Sequence, residues 1–136
     1  MKTKNFFILA VFLLALPTLK GETIFYFPHY GDGDGLSMAF TFENPSNISA
    51  RVNVDIYNSS GNSAQLSFPG YGTFSSFYAD LEPMGSITVK TSGTSNPLKV
   101  GFVRVQSTND RVTGVAVFQY SWGGETSILP VKAKRR

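Results

Sequence analysis

The sequence contains no cysteine, a single histidine and few charged residues. Charged side chains make up 15% of its 136 residues, whereas about 25% is typical of soluble domains. Without cysteine, a disulfide framework, a thiol nucleophile and a cysteine-ligated metal site are all excluded. Hydrophobic residues account for 42% and aromatic residues for 14% of the chain, which excludes an intrinsically disordered protein. The length leaves room for one domain.

The net charge of +3 is distributed unevenly along the chain. Residues 1–21 carry three lysines and no acidic residue, and residues 132–136 carry four basic residues. Between them, residues 22–131 hold five basic and nine acidic residues, a net charge of −4. A nucleic-acid-binding domain needs a basic face on its folded part. We therefore predict no nucleic-acid partner, and we interpret 132–136 as a basic tail without strand signal.

Residues 1–21 have the pattern of a secretory signal peptide. A basic start (MKTKN) precedes eleven apolar residues (FFILAVFLLAL, 6–16), which Pro17 ends. This run is shorter than the roughly 20 apolar residues that cross a bilayer, so a signal anchor is the less favoured alternative. We expect cleavage after Gly21, no membrane span in the mature chain, and a location that is secreted or in the cell envelope, extracellular or periplasmic. An exported chain without cysteine favours a bacterial source.

Hydrophobic alternation predicts seven or eight β-strands in residues 22–131 and no helix. The clearest strand is 50–57, where apolar and polar residues alternate. The expected core face comprises Ala50, Val52, Val54 and Ile56, and the outward face Arg51, Asn53, Asp55 and Tyr57. Pro28 is expected to end the first strand, and residues 107–110 to form a hairpin. Many short strands between turn signals predict an all-β, antiparallel two-sheet sandwich of immunoglobulin-like architecture; a closed eight-stranded barrel is the alternative.

Turn and strand motifs over residues 27–129 resemble a module found in exported bacterial proteins. FPHYGDGDG (27–35) followed by ENPS (43–46) is similar to that family's pattern FPxFxDGxGWxTxLxLxNPS. GFVRV (101–105) and GVAVF (114–118) are similar to its GxxRV and GxAxF motifs. Leu36 stands where the family usually has an aromatic residue. The resemblance to this uncharacterised immunoglobulin-like module implies an exported β-sandwich, and it supplies no catalytic residue.

The segment 29–35 (HYGDGDG) is the candidate for metal or catalytic chemistry. Asp32 and Asp34 have the Asp-x-Asp spacing that can supply the first two oxygen ligands of Ca²⁺. Leu36 occupies the next ligand position, so we favour a turn in which aspartate side chains hold the backbone. A hydrolase would use His29 as a base, but the sequence has no GxSxG nucleophile motif. We predict no cofactor and no enzymatic activity.

Aromatic residues predicted to lie in loops are the candidates for ligand binding. Tyr120 and Trp122 follow a predicted central strand. With Tyr71, Phe77 and Tyr78 they would form a flat platform on which the C–H faces of a sugar could stack, although core and edge packing is the commoner use of such residues.

These features together predict a secreted, non-enzymatic β-sandwich module with a structural or adhesive role at the cell surface. Its contacts would be made by loops and edge strands. The expected partner is a cell-envelope protein or a polysaccharide. The alternative is a carbohydrate-binding module that uses the loop aromatics Tyr120, Trp122 and Tyr71.

Overall fold

The computed structural model describes residues 22–123, 125–131 and 133–135, and of Trp122 and Thr126 it describes the backbone alone. These residues form eleven β-strands and no helix. The strands are β1 (Thr23–Asp32), β2 (Leu36–Glu43), β3 (Ala50–Asn58), β4 (Leu66–Phe68), β5 (Gly72–Phe74), β6 (Ser76–Leu81), β7 (Ser86–Lys90), β8 (Lys99–Ser107), β9 (Thr113–Trp122), β10 (Glu125–Val131) and β11 (Lys134–Arg135).

Nine of the eleven strands form two antiparallel sheets. The five-stranded sheet has the order β11-β1-β8-β3-β6, and the four-stranded sheet has the order β10-β9-β2-β7. Strands β4 and β5 pair as a separate two-stranded ribbon. The prediction of an all-β, antiparallel two-sheet sandwich is confirmed. The sheets do not close on each other, so the barrel alternative is wrong, and the strands outnumber the seven or eight expected.

The core lies between the two sheets and follows the predicted alternation. Ala50, Val52, Val54 and Ile56 of β3 are buried on one side, and Met38, Phe40 and Phe42 of β2 are buried on the other. Phe27 bridges the sheets, with its ring centroid 5.6 Å from that of Phe40 and 6.3 Å from that of Phe42. Burial of these large apolar side chains supplies the main driving force for folding.

We had expected Pro28 to end the first strand, but the strand continues past it. β1 continues to Asp32, and its register with β8 shifts between Phe27 and Tyr30. Proline has no N–H to donate to a neighbouring strand, so within a sheet it is tolerated at an irregularity of this kind. The bulge therefore lets the strand pass Pro28.

The predicted hairpin at residues 107–110 is also wrong. β8 pairs with β1 and β3 in one sheet, whereas β9 pairs with β2 and β10 in the other. The connection thus crosses from sheet to sheet. Two apolar strands joined by a polar loop give the same sequence pattern in a hairpin and in such a crossing, because both strands bury one face.

The chain after Val131 returns to the five-stranded sheet. Lys134 and Arg135 pair with Tyr26 and Phe25, where we had expected no strand. The Arg135 guanidinium donates to the Thr23 hydroxyl at 2.9 Å and to the Val112 carbonyl at 3.1 Å. Because strand β11 is held by these hydrogen bonds and not by buried apolar side chains, its sequence lacks the hydrophobic alternation from which we predicted the other strands.

Residues 1–21 lie outside the described residues, so the signal peptide remains a prediction. No helix long and apolar enough to cross a membrane occurs among the residues that the structure describes.

Candidate binding surface

The outer face of the five-stranded sheet carries a set of aromatic and hydrogen-bonding side chains. Side chains alternate between the two faces of a strand, so residues next to buried ones in β1, β3, β6 and β8 point away from the core. We call this surface the aromatic face. It comprises Ile24, Tyr26, Arg51, Asn53, Asp55, Tyr57, Tyr78, Asp80, Phe102, Arg104 and Gln106.

A stacked aromatic pair lies on the two central strands of this face. Tyr57 of β3 stands directly opposite Phe102 of β8. Their ring centroids are 5.0 Å apart and their planes differ by 19°. Both side chains are half-buried. Each ring fixes the orientation of the other, so the pair is a rigid feature of the surface.

An ion pair lies two residues along the strands from the aromatic pair. Arg104 of β8 is opposite Asp55 of β3 on one side and Tyr26 of β1 on the other. The Arg104 Nη1 donates to Asp55 Oδ2 at 3.2 Å, and the two side chains are 29% and 31% exposed. A guanidinium has five N–H donors and a carboxylate about four acceptor sites. One contact therefore leaves much of the hydrogen-bonding capacity of this pair directed at solvent.

A second ion pair lies at the β6 edge of the face. Arg51 binds Asp80 through two hydrogen bonds, from Nε at 2.7 Å and from Nη2 at 3.0 Å. The guanidinium also lies over the Tyr78 ring, 4.0 Å from its centroid. The hydrogen bond from Arg51 holds the pKa of the Asp80 carboxyl below its ordinary value. Asp80 is thus a poor proton acceptor and serves to orient Arg51 over Tyr78.

Charge is balanced across the aromatic face. Each of its two arginines faces an aspartate, and Lys134 of β11, opposite Tyr26, adds one further positive charge at the edge. The outer face of the four-stranded sheet is different in composition. Its described side chains on β2, β7 and β9 include Ser37, Ala39, Thr41, Thr88, Val115 and Val117, with no aromatic residue. The outward aromatics are therefore concentrated on one sheet.

Tyr71 lies in a separate apolar cleft, and its side chain is 66% exposed. The cleft has a volume of about 200 Å³ and lies between the β4–β5 ribbon and strands β6 and β7. Phe77 and Tyr78 line it as well, so the structure brings together three of the aromatics that we expected to form a platform. Tyr78 is shared between this cleft and the aromatic face.

Tyr120 does not join that group. It lines a different cleft of about 360 Å³ together with Gly123, Glu125 and Ser127. Strand β9, which carries Tyr120, is separated from β7 by β2. The backbone of Trp122 pairs with Glu125 at the end of β9, and the Trp122 side chain lies outside the described part of the structure. Tyr71 and Tyr120 therefore belong to two surfaces and not to one platform.

The two candidate metal ligands have different surroundings. Asp32 is fully buried and accepts three hydrogen bonds, from Gly93 N at 2.6 Å, Ser95 N at 3.1 Å and Ser95 Oγ at 2.5 Å. Asp34 is exposed and has a φ of 52°. No group of three or more potential metal-binding side chains occurs among the described residues. Asp32 holds the backbone of the 91–97 loop, a role that local spacing did not reveal because its partners lie some 60 residues away.

Comparison with known proteins supports the fold and gives no family. No protein-family model and no curated protein matches the chain. The crystal structure of Thermotoga maritima 1070 is similar, with a TM-score of 0.51 and 10% sequence identity, over 87% of this chain and 96% of that one. At this identity the similarity concerns the fold alone.

Proposed function

We propose that this protein is an exported, non-enzymatic interaction module that binds at the cell surface through the aromatic face. The observation that carries the proposal is the concentration of outward aromatics, interleaved with ion pairs, on the five-stranded sheet. Aromatic and arginine side chains are the residues most enriched in binding surfaces. Tyr57, Phe102 and Arg104 on the central strands are half-buried, so they lose little conformational freedom when a partner covers them.

The surroundings of Asp32, Asp55 and Asp80 support binding over catalysis. The two carboxylate oxygens of Asp32 accept bonds from the 91–97 loop. Asp55 and Asp80 are each paired with an arginine on the sheet face. A general base must be free to reach the proton that it removes. The base that a hydrolase would use, His29, is exposed and follows Pro28 within the β1 bulge.

Adhesion is tested by co-sedimentation of the purified protein with bacterial cells and with isolated cell-envelope material. The test variant combines Tyr26→Thr and Tyr57→Thr, because threonine is well tolerated in strands. Tyr71→Thr is the matched control, since it removes an exposed tyrosine from the apolar cleft. We expect the wild type and Tyr71→Thr to sediment with the envelope and the double variant to remain in solution. Equal sedimentation of all three folded proteins would refute a role for the aromatic face.

Export is tested separately by expressing the full chain in a bacterium. Mass spectrometry of the recovered protein should give a mature chain that begins near Glu22. Protein found only in the cytoplasm with residues 1–21 intact would contradict the proposed location.

A further inference from the structure

We propose that the ligand of the aromatic face is a neutral polysaccharide chain. This inference rests on the proposed function and names the class of partner that the surface fits. Three features of the face lead to it: the spacing of the rings, the hydrogen-bonding groups beside them, and the balance of charge.

The rings are placed to contact more than one sugar unit. Tyr26 lies on β1 and Tyr57 on β3, with β8 between them, so the two backbones are about 10 Å apart across the sheet. Phe102 stacks on one face of the Tyr57 ring, so a sugar would stack on the other face of Tyr57 or on the Tyr26 ring, where the partial negative charge of an aromatic face attracts the partially positive C–H groups on the flat side of the sugar. An extended chain lying across the sheet would therefore meet an aromatic residue at more than one position.

Hydrogen-bonding groups lie beside those rings. Arg104 and Asp55 occupy the row of Tyr26, and Gln106 and Asn53 are opposite each other in the following row, on the side away from Tyr57. Arg104 and the amide side chains supply donors, while Asp55 and the amide oxygens supply acceptors. Sugar hydroxyls act as both donor and acceptor, so this mixture is complementary to them, whereas a purely apolar partner would leave the remaining hydrogen-bonding capacity of these groups unused.

Charge balance selects against polyanions. Arg51 and Arg104 are both neutralised by paired aspartates, and Lys134 is the remaining cation among the described outward residues of this sheet. Residues 22–131 carry a net charge of −4, which the four basic residues of 132–136 offset, so that residues 22–136 are neutral overall. A nucleic acid or an acidic polysaccharide would therefore gain no net electrostatic attraction from the domain, whereas a neutral chain needs none.

The experiment measures binding of the purified protein to insoluble cellulose and chitin, to soluble neutral glucans and mannans, and to alginate as the acidic polysaccharide. The test pair is Tyr57→Thr, which removes the ring, and Tyr57→Phe, which keeps it and serves as the variant that preserves the stacked pair. Tyr71→Thr and Trp122→Ala examine the apolar cleft and the loop after β9. Urea denaturation confirms that each variant is folded.

We expect saturable binding to at least one neutral polysaccharide, with little dependence on salt. Tyr57→Thr should weaken it at least about tenfold, as truncation of a central aromatic anchor does. Tyr57→Phe keeps the ring and should restore most of the affinity lost in Tyr57→Thr. Tyr71→Thr and Trp122→Ala, which lie outside the aromatic face, should bind nearly as the wild type does. Binding to alginate alone, or loss of binding in Trp122→Ala with Tyr57→Thr unaffected, would overturn the inference.

Failure of the inference is distinguishable from failure of the proposed function. If no polysaccharide binds while envelope adhesion still depends on Tyr26 and Tyr57, the glycan assignment is wrong and a protein partner takes its place. If neither polysaccharide nor envelope material binds the folded protein, both proposals are wrong.

Discussion

Replacing Asp32 by alanine should cause the largest loss of stability among substitutions of the acidic residues. The Asp32 carboxylate is fully buried and joins the end of β1 to the 91–97 loop. Alanine would leave the N–H groups of Gly93 and Ser95 and the Ser95 hydroxyl without their acceptor. A buried donor that loses its partner costs its full desolvation penalty.

The magnitude follows from the three hydrogen bonds that Asp32 accepts. A hydrogen bond to a charged group contributes about 1.5–3 kcal/mol. The three share one carboxylate, so their contributions are not additive, and both Gly93 and Ser95 are only half-buried, which lets water reach the freed groups. We expect a loss of about 2–4 kcal/mol, more than one hydrogen bond to a charged group contributes and well below the sum of three. This is a large part of the roughly 5–15 kcal/mol that stabilises a domain.

Urea denaturation of the wild type, Asp32→Ala and Asp34→Asn measures this effect. Asp34→Asn is the matched control because Asp34 is exposed and asparagine tolerates its positive φ; its free energy of unfolding should change by less than about 0.5 kcal/mol. A loss below about 1 kcal/mol in Asp32→Ala would refute the loop-holding role. Stabilisation of the wild type by Ca²⁺ that disappears in Asp32→Ala would instead favour the metal site.

Three further predictions concern other parts of the fold. Gly101→Ala should cost about 1–3 kcal/mol in urea denaturation, because its Cβ would collide with the backbone of β3; unchanged stability would contradict that contact. The Tyr30 hydroxyl is buried without a hydrogen-bond partner among the described residues, and burial raises its pKa. Tyr30→Phe should therefore equal or exceed the wild type in stability at neutral pH, and it should lose less stability as pH rises above about 10; a less stable variant would refute this. NMR titration should give Asp80 a pKa below that of an ordinary aspartate, and Arg51→Gln should raise it. The stabilisation from this pair is present above the ordinary aspartate pKa and is lost as pH falls through the lowered pKa of folded Asp80; an ordinary pKa in the wild type would contradict the pairing.

Alternation in the sequence was sufficient to predict the buried faces of the central strands. Residues 50–57 bury the side chains expected of them, because a half-buried strand must place every second side chain in the core. The same pattern does not say which strands pair. The connection 107–110 and the strand Lys134–Arg135 were missed for this reason, since pairing depends on contacts between distant segments.

The candidate surface was predictable in its parts and not as a whole. Alternation in β3 already placed Asp55 and Tyr57 on the outward face. Their neighbours Arg104, Phe102 and Tyr26 come from β8 and β1, and only the register of the sheet brings them together. Conversely, Tyr71 and Tyr120 were grouped because both are aromatics near turns, and the strand order separates them into two clefts.

Hydroxyl-radical footprinting of the protein, free and bound to cell-envelope material, tests the central claim most directly. Solvent-accessible aromatic side chains are oxidised, and mass spectrometry reports each one separately. Oxidation of Tyr26, Tyr57 and Phe102 should fall on binding, while that of Tyr71 and Tyr120 should stay unchanged. Protection confined to Tyr71 or Tyr120 would contradict the claim that the aromatic face is the binding surface.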